Sequence, residues 1–84
     1  MIMTEYQARS ALRALREYKQ EHLGLAELAQ VAGVNKNTAS NWRNRNRVPE
    51  ADQKLASGPV WTKATVHAWL MGLAKDAAQQ SAKL

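Results

Sequence analysis

Residues 25–49, LAELAQVAGVNKNTASNWRNRNRVP, decide the fold of this 84-residue chain. Leucine and alanine recur at helical spacing in the first third of the stretch and predict a helix of about two turns. Gly33 ends that helix, because glycine enters the left-handed conformation at little cost. Asn35 is a good N-cap for a second helix running to Asn44 or Arg45. Two short helices across a tight turn are the geometry of a helix-turn-helix.

The second helix has an unusual polar composition. Residues 33–49 contain five asparagines and four basic residues around a single tryptophan. Asparagine is a poor helix former, so a helix that only faced water would more cheaply use glutamate, lysine or alanine. Amide side chains both donate and accept hydrogen bonds, which suits the mixed pattern that base pairs show in the major groove. With Ala39 and Trp42 facing inward, the residues predicted to contact bases are Lys36, Asn37, Ser40, Asn41 and Asn44.

Composition and charge narrow the class of protein. Twelve Lys and Arg residues against seven Asp and Glu give a net charge of +5 and a pI near 10.0, which favours a polyanionic partner. The chain has no cysteine, so no disulfide or thiolate zinc site supports the small core. No apolar run approaches the roughly 20 residues of a membrane span, and no signal peptide is apparent. We therefore expect a cytoplasmic protein with one domain.

The segment after the asparagine-rich helix predicts a hairpin and another helix. Residues 54–61 have the pattern of two short strands around a Ser-Gly turn. Pro59 lacks an N–H group and is tolerable there only at an edge or at a strand start. Thr62 is a suitable cap for a following helix. That helix carries Val66, Trp69, Leu70 and Leu73 at helical spacing.

The combination resembles the MerR-like winged helix-turn-helix proteins. The apolar and small residues from Leu28 to Trp42, the exit from Trp42 to Pro49, and the hairpin with its capped helix all match, over roughly residues 25–73. The resemblance implies a mainly α fold, a winged helix-turn-helix with a short two-stranded wing. The family includes phage excisionases, prophage regulators of the AlpA type and the DNA-binding domain of phage small terminase subunits. It implies a sequence-specific double-stranded DNA-binding protein in a bacterial cell or a phage-infected host.

Basic residues beside the recognition helix are expected to hold phosphates. The arginines that follow the base-reading positions lie where the chain leaves the helix, so they are better placed for the DNA backbone than for bases. Lysines flank the wing, which could touch a minor groove or the backbone, or could only support Trp61 in the core. The predicted phosphate contacts are Arg43, Arg45, Arg47, Lys54 and Lys63.

An additional N-terminal helix precedes the family pattern, so its role is not implied by the resemblance. Residues 4–22 begin with the capping box Thr-x-x-Gln and continue with apolar residues at helical spacing. The opposite side carries a stripe of Arg9, Arg13 and Arg16. These arginines either form an exposed face supported by i,i+4 pairs with glutamates, or add phosphate contacts. Residues 1–24 are thus read as this helix, 25–73 as the DNA-binding domain, and 74–84 as a helical extension or frayed tail.

The final helix leaves two interpretations open. Six residues of this helix follow one another at alternating spacings of four and three: Val66, Leu70, Leu73, Ala77, Gln80 and Leu84. That spacing resembles a coiled-coil seam for a homodimer or another protein, although its last turns are weak. The residues from 74 onward are mostly Ala, Gln, Ser and Lys, which is also typical of a frayed terminus. A homodimer or a cooperative array on DNA would suit a domain that reads few base pairs.

The sequence offers no sign of catalysis. His22 and His67 are isolated, and no carboxylate lies at metal-ligand spacing from either, so we expect no metal and no cofactor. No phosphate-binding glycine loop and no nucleophile with its base appears, so we expect no enzyme and no small-molecule substrate. We expect a small transcription regulator, or an excisionase-type factor with a recombinase partner. The alternatives are a protein-interaction module using the C-terminal helix and the DNA-recognition subunit of a packaging terminase.

Overall fold

A computed structural model describes residues 3–82, with side chains placed up to residue 78. The chain forms a mainly α fold with a small antiparallel sheet, an arrangement compatible with a winged helical fold. The elements are α1 (Glu5–Glu17), β1 (His22–Gly24), α2 (Leu25–Ala32), α3 (Lys36–Asn44), β2 (Gln53–Leu55), β3 (Gly58–Thr62) and α4 (Lys63–Ala82).

The sheet has three strands, in the order β1-β3-β2. The hairpin predicted at residues 54–61 forms from β2 and β3, whereas β1 is a third strand that the sequence does not predict. β1 was expected to be the end of the N-terminal helix, but α1 stops at Glu17, where Tyr18 takes an extended conformation. The reason is tertiary pairing: Leu23 lies opposite Trp61 in the ladder, and both side chains are buried. Burial against β3 outweighs the local helix propensity of this segment.

Pro59 occupies a permitted position in β3. It is the second residue of the strand and pairs with Lys54 of β2, while the pairing with β1 begins only at Val60. The missing N–H of Pro59 therefore falls at the start of the central strand, as its sequence position predicts.

The helix-turn-helix forms as the sequence predicts. Gly33 ends α2 in the left-handed conformation with a φ of 77°, and the Val34 N–H donates to the Ala29 carbonyl at 3.0 Å. Ala29 is buried, which confirms the need for a small residue before the turn. The Asn35 side chain then caps α3 by accepting a hydrogen bond from the Thr38 N–H at 2.8 Å.

The core is formed by residues of α1, α2 and α4 together with Leu23 of β1 and Trp61 of β3. Both partners of the predicted capping box form hydrogen bonds at the start of α1, at 3.1 and 2.9 Å. Val66, Leu70 and Ala77 of α4 are buried against the core, and Leu73 is partly buried. The seam that could have served dimerisation is thus largely covered by the chain's own α1, while the Gln80 side chain and Leu84 lie outside the described residues. The backbone is helical to Ala82.

Candidate nucleic-acid interface

The amide-rich side of α3 is exposed. Ala39 is fully buried and anchors the inner side of the helix, while Lys36 and the asparagines point to solvent and Ser40 is half-buried. Within residues 3–82, the three outward asparagine side chains make no hydrogen bond to the rest of the protein. Their donors and acceptors are therefore available along one stripe of the helix. These three residues are Asn37, Asn41 and Asn44.

The other two asparagines of the stretch have structural roles. Asn35 is the N-cap described above. Asn46 follows the C-cap Arg45 and adopts a φ of 55°, and the Arg47 N–H donates to the Trp42 carbonyl at 2.7 Å. This is the left-handed termination of a Schellman motif, in which asparagine is the best tolerated residue after glycine. The role of Asn46 was missed from sequence, although an asparagine directly beyond a helix end is the signal for it.

The chain beyond α3 is held by two tryptophans. The Nε1–H of Trp61 donates to the Pro49 carbonyl at 2.8 Å, and the Nε1–H of Trp69 donates to the Arg47 carbonyl at 3.1 Å. Trp61 is buried in the core, and Trp42 and Trp69 are half-buried and pack against it. The rings of Trp42 and Trp69 meet edge to face with centroids 6.1 Å apart. These contacts fix the backbone that carries the arginines after α3.

Strand β2 separates two surface grooves that both reach α3. Alternation along the strand places Gln53 and Leu55 on one side and Lys54 on the other. We name the first the N-side groove, because it includes Lys36 from the start of α3; its volume is about 710 Å³. The C-side groove, of about 600 Å³, includes Arg43 from the end of the helix.

The C-side groove brings together residues that were predicted separately as DNA contacts. Arg43, Asn44 and Lys54 all line it, and all three are exposed. Glu50 lines the same groove and reduces its positive charge. The arginines at positions 45 and 47 are also exposed and lie on the anchored segment beyond α3. Five of the residues predicted from sequence to contact DNA therefore lie in one region at the end of α3.

Other predicted phosphate contacts lie elsewhere. Lys63 is half-buried and its ammonium group donates to the Tyr18 carbonyl, which ties α4 to the end of α1. Arg9 forms an ion pair with Glu5 at 3.1 Å, as expected, while Arg13 has no ion-pair partner within residues 3–82. Arg16 lines a third groove together with Lys63 and His67, and it lines neither groove beside α3. The structure does not join these residues to the α3 surface.

Asp52 accepts hydrogen bonds at the junction between the wing and α4. Asp52 Oδ2 accepts hydrogen bonds from the Thr62 N–H at 2.9 Å and from the Thr62 hydroxyl at 3.3 Å. The backbone hydrogen bond from Thr62 is the main cause that holds the pKa of Asp52 below its usual value. Thr62 Oγ1 in turn accepts from the Thr65 N–H at 3.3 Å, which confirms the predicted cap of α4. No local sequence pattern indicates this role of Asp52.

Comparison of the chain with protein-family models, curated proteins and solved structures yields no match. Within residues 3–82, no three histidine or acidic side chains are grouped closely enough to hold a metal ion. The helices of the same residues include none whose length and apolarity would allow it to cross a membrane.

Proposed function

We propose that the protein binds double-stranded DNA sequence-specifically through a MerR-like winged helix-turn-helix. The observation that carries the proposal is the row of Asn37, Asn41 and Asn44 on α3, exposed and without hydrogen-bond partners within the described chain. Each amide can donate and accept at once, as the N6/N7 edge of adenine requires. A helix of this kind enters the major groove with its N-terminal part leading.

The wing supports the proposal because residues of its strand β2 line the same surface grooves as residues of α3. Lys54 of β2 shares the C-side groove with Arg43 and Asn44 of α3, so one DNA backbone can contact both elements. Arg45 and Arg47 add positive charge on the same segment. Phosphate contacts of this kind set the register of the protein and supply affinity that falls with salt, whereas the asparagines supply sequence discrimination.

The biological role that follows is a small transcription regulator or an excisionase-type factor that shapes attachment-site DNA for a recombinase. Genome position distinguishes the two, because an adjacent integrase gene favours excision and an autoregulated divergent promoter favours transcription. A neighbouring large terminase subunit would favour DNA packaging instead. An interaction module built on α4 is less favoured, since Val66 and Leu70 are buried within the fold.

Selection of bound sequences from random duplexes, repeated at two salt concentrations, tests the proposal. The expected result is an enriched motif with an adenine opposite the asparagine row and an affinity that decreases as salt rises. Binding that enriches no sequence would reduce the protein to a non-specific DNA binder. No retention of duplexes even at low salt would refute DNA binding altogether.

A further inference from the structure

The wing carries a large apolar side chain that the core does not use. Leu55 ends β2, and 53% of its surface is exposed. It lines the N-side groove together with the apolar residues Leu25, Pro59 and Val60. Lys36, from the first turn of α3, lines the same groove. The groove thus combines a cation from the recognition helix with an apolar surface from the wing.

A DNA strand has matching chemistry. Its phosphates are anionic, and each deoxyribose between them presents a methylene at C2′ where ribose carries a hydroxyl that donates and accepts hydrogen bonds. Leu55 and Pro59 offer no side-chain partner to such a hydroxyl. The groove also holds one carboxylate, Glu27, whose Oε1 accepts the Gly24 N–H at 3.2 Å. Its charge disfavours a phosphate at the α2 end and favours one at the Lys36 end.

We propose that the N-side groove holds one sugar–phosphate strand, with Lys36 at a phosphate and Leu55 against the C2′ edge of a neighbouring deoxyribose. The inference rests on the proposed DNA binding and adds that this groove selects deoxyribose over ribose. A 2′-hydroxyl placed against Leu55 loses its hydrogen bonds to water and gains none from the side chain. Lys36 is thereby assigned to the DNA backbone instead of to a base.

A scan with single ribonucleotides tests this assignment. Each duplex carries the selected sequence with one deoxynucleotide replaced by its ribonucleotide, and binding is measured by fluorescence anisotropy. For the wild-type protein we expect affinity to fall about fivefold at one or two adjacent positions of one strand and to stay unchanged elsewhere. Lys36→Gln is expected to lower the salt slope by about one unit without changing the base preference at any position.

Leu55→Ala separates the leucine from the rest of the groove. We expect it to weaken binding to all-DNA duplexes about fivefold, because the apolar contact with the sugar is lost, and to remove the ribonucleotide penalty. Met71→Ala is the matched control: Met71 is 50% exposed on α4 and lines neither groove beside α3. It should keep both the wild-type affinity and the wild-type penalty.

The outcomes distinguish this inference from the proposed function. Tight, sequence-specific binding with a flat ribonucleotide scan would overturn the inference and leave the DNA-binding proposal standing. A penalty that persists in Leu55→Ala would remove the leucine as its cause and overturn the assignment. Failure of the wild-type protein to bind any duplex would overturn the proposed function, and the inference with it.

Discussion

The indole Nε1–H of Trp69, on α4, donates a hydrogen bond to the backbone carbonyl of Arg47 at 3.1 Å. This bond joins α4 to the segment that follows α3, across 22 residues of sequence. Trp42 packs its ring edge to face on the same indole. The position of the arginines beyond α3 therefore depends on a residue that is distant from them in sequence.

Trp69→Phe should show how much this link contributes. The change keeps an aromatic ring beside Trp42 and removes the donor, so the free energy of unfolding should fall by about 1 kcal/mol. DNA affinity should weaken by a similar factor on all sequences, because the arginines are less well positioned. Urea unfolding and anisotropy titrations measure the two effects. Unchanged stability and affinity would show that the hydrogen bond does not anchor the segment.

Replacement of Asn37 by Ala should affect sequence recognition and leave folding unchanged. The side chain is exposed and has no partner within residues 3–82, so the unfolding free energy should stay within about 0.5 kcal/mol of wild type. Binding to the selected site should weaken by about 1 to 3 kcal/mol, with discrimination relaxed at one base pair. Competition titrations with single-base variants measure this loss.

Gln30→Ala is the matched control for Asn37→Ala, because Gln30 is an exposed amide on the neighbouring helix α2. It should bind the selected site like wild type. Equal losses for Asn37→Ala on the selected site and on random duplexes would assign Asn37 to general affinity instead of base recognition.

Arg45→Gln and Arg13→Gln together distinguish the two basic surfaces. Arg45 lies at the end of α3 and should contact a phosphate, so its loss should weaken all sequences alike and reduce the slope of log affinity against log salt by about one unit. Helix α1 packs on α2 and α4, and Arg13 lies on the opposite, exposed side of it. Its replacement should leave the slope unchanged if that stripe is a solvated face. A reduced slope for Arg13→Gln would instead place α1 on the DNA.

Much of this architecture could be predicted from local sequence signals. Gly33 and Asn35 mark the helix ends with backbone and capping chemistry that acts over four residues, and both predictions are confirmed. The strand at residues 22–24 could not be predicted in this way, because it forms by pairing with residues 60–62 of β3, nearly 40 residues away. The same limit applies to Asp52, whose partner Thr62 lies across the hairpin.

The candidate site divides similarly. Exposure of the amide row follows from the helical period once Ala39 is placed inward, so it could be predicted. The grouping of Lys54 with Arg43, and of Leu55 with Lys36, depends on how β2 lies beside α3. Lys63 is predicted at a phosphate from its charge and its position beside the wing, but its ammonium contacts the Tyr18 carbonyl. The charge of a residue does not determine where its side chain points, because that direction depends on how the surrounding elements pack.

Asp52 should make stability dependent on pH in the acid range. Its pKa is lowered in the folded protein, chiefly by the Thr62 N–H, from the ordinary value of 3.8. The unfolded chain therefore binds the proton more readily, so the contribution of Asp52 is present above about pH 4 and is lost as pH falls through the lowered folded pKa. Asp52→Asn should lower the melting temperature at pH 6, and this difference should shrink towards pH 3. A difference that is constant across this range would exclude the carboxylate charge as its cause.

Substitution of Asn46 tests whether some asparagines of residues 33–49 serve the fold while others serve DNA recognition. Its φ of 55° lies in the left-handed region, which glycine adopts at little energetic cost and in which a β-branched residue is strained. Asn46→Gly should keep the wild-type stability within about 0.5 kcal/mol, whereas Asn46→Val should cost about 1 to 2 kcal/mol. Differential scanning calorimetry of the two variants measures this. If Asn46→Gly folds normally and also keeps full DNA affinity, Asn46 ends the helix and makes no essential DNA contact. A large loss of DNA binding with unchanged stability would instead add Asn46 to the residues that contact DNA.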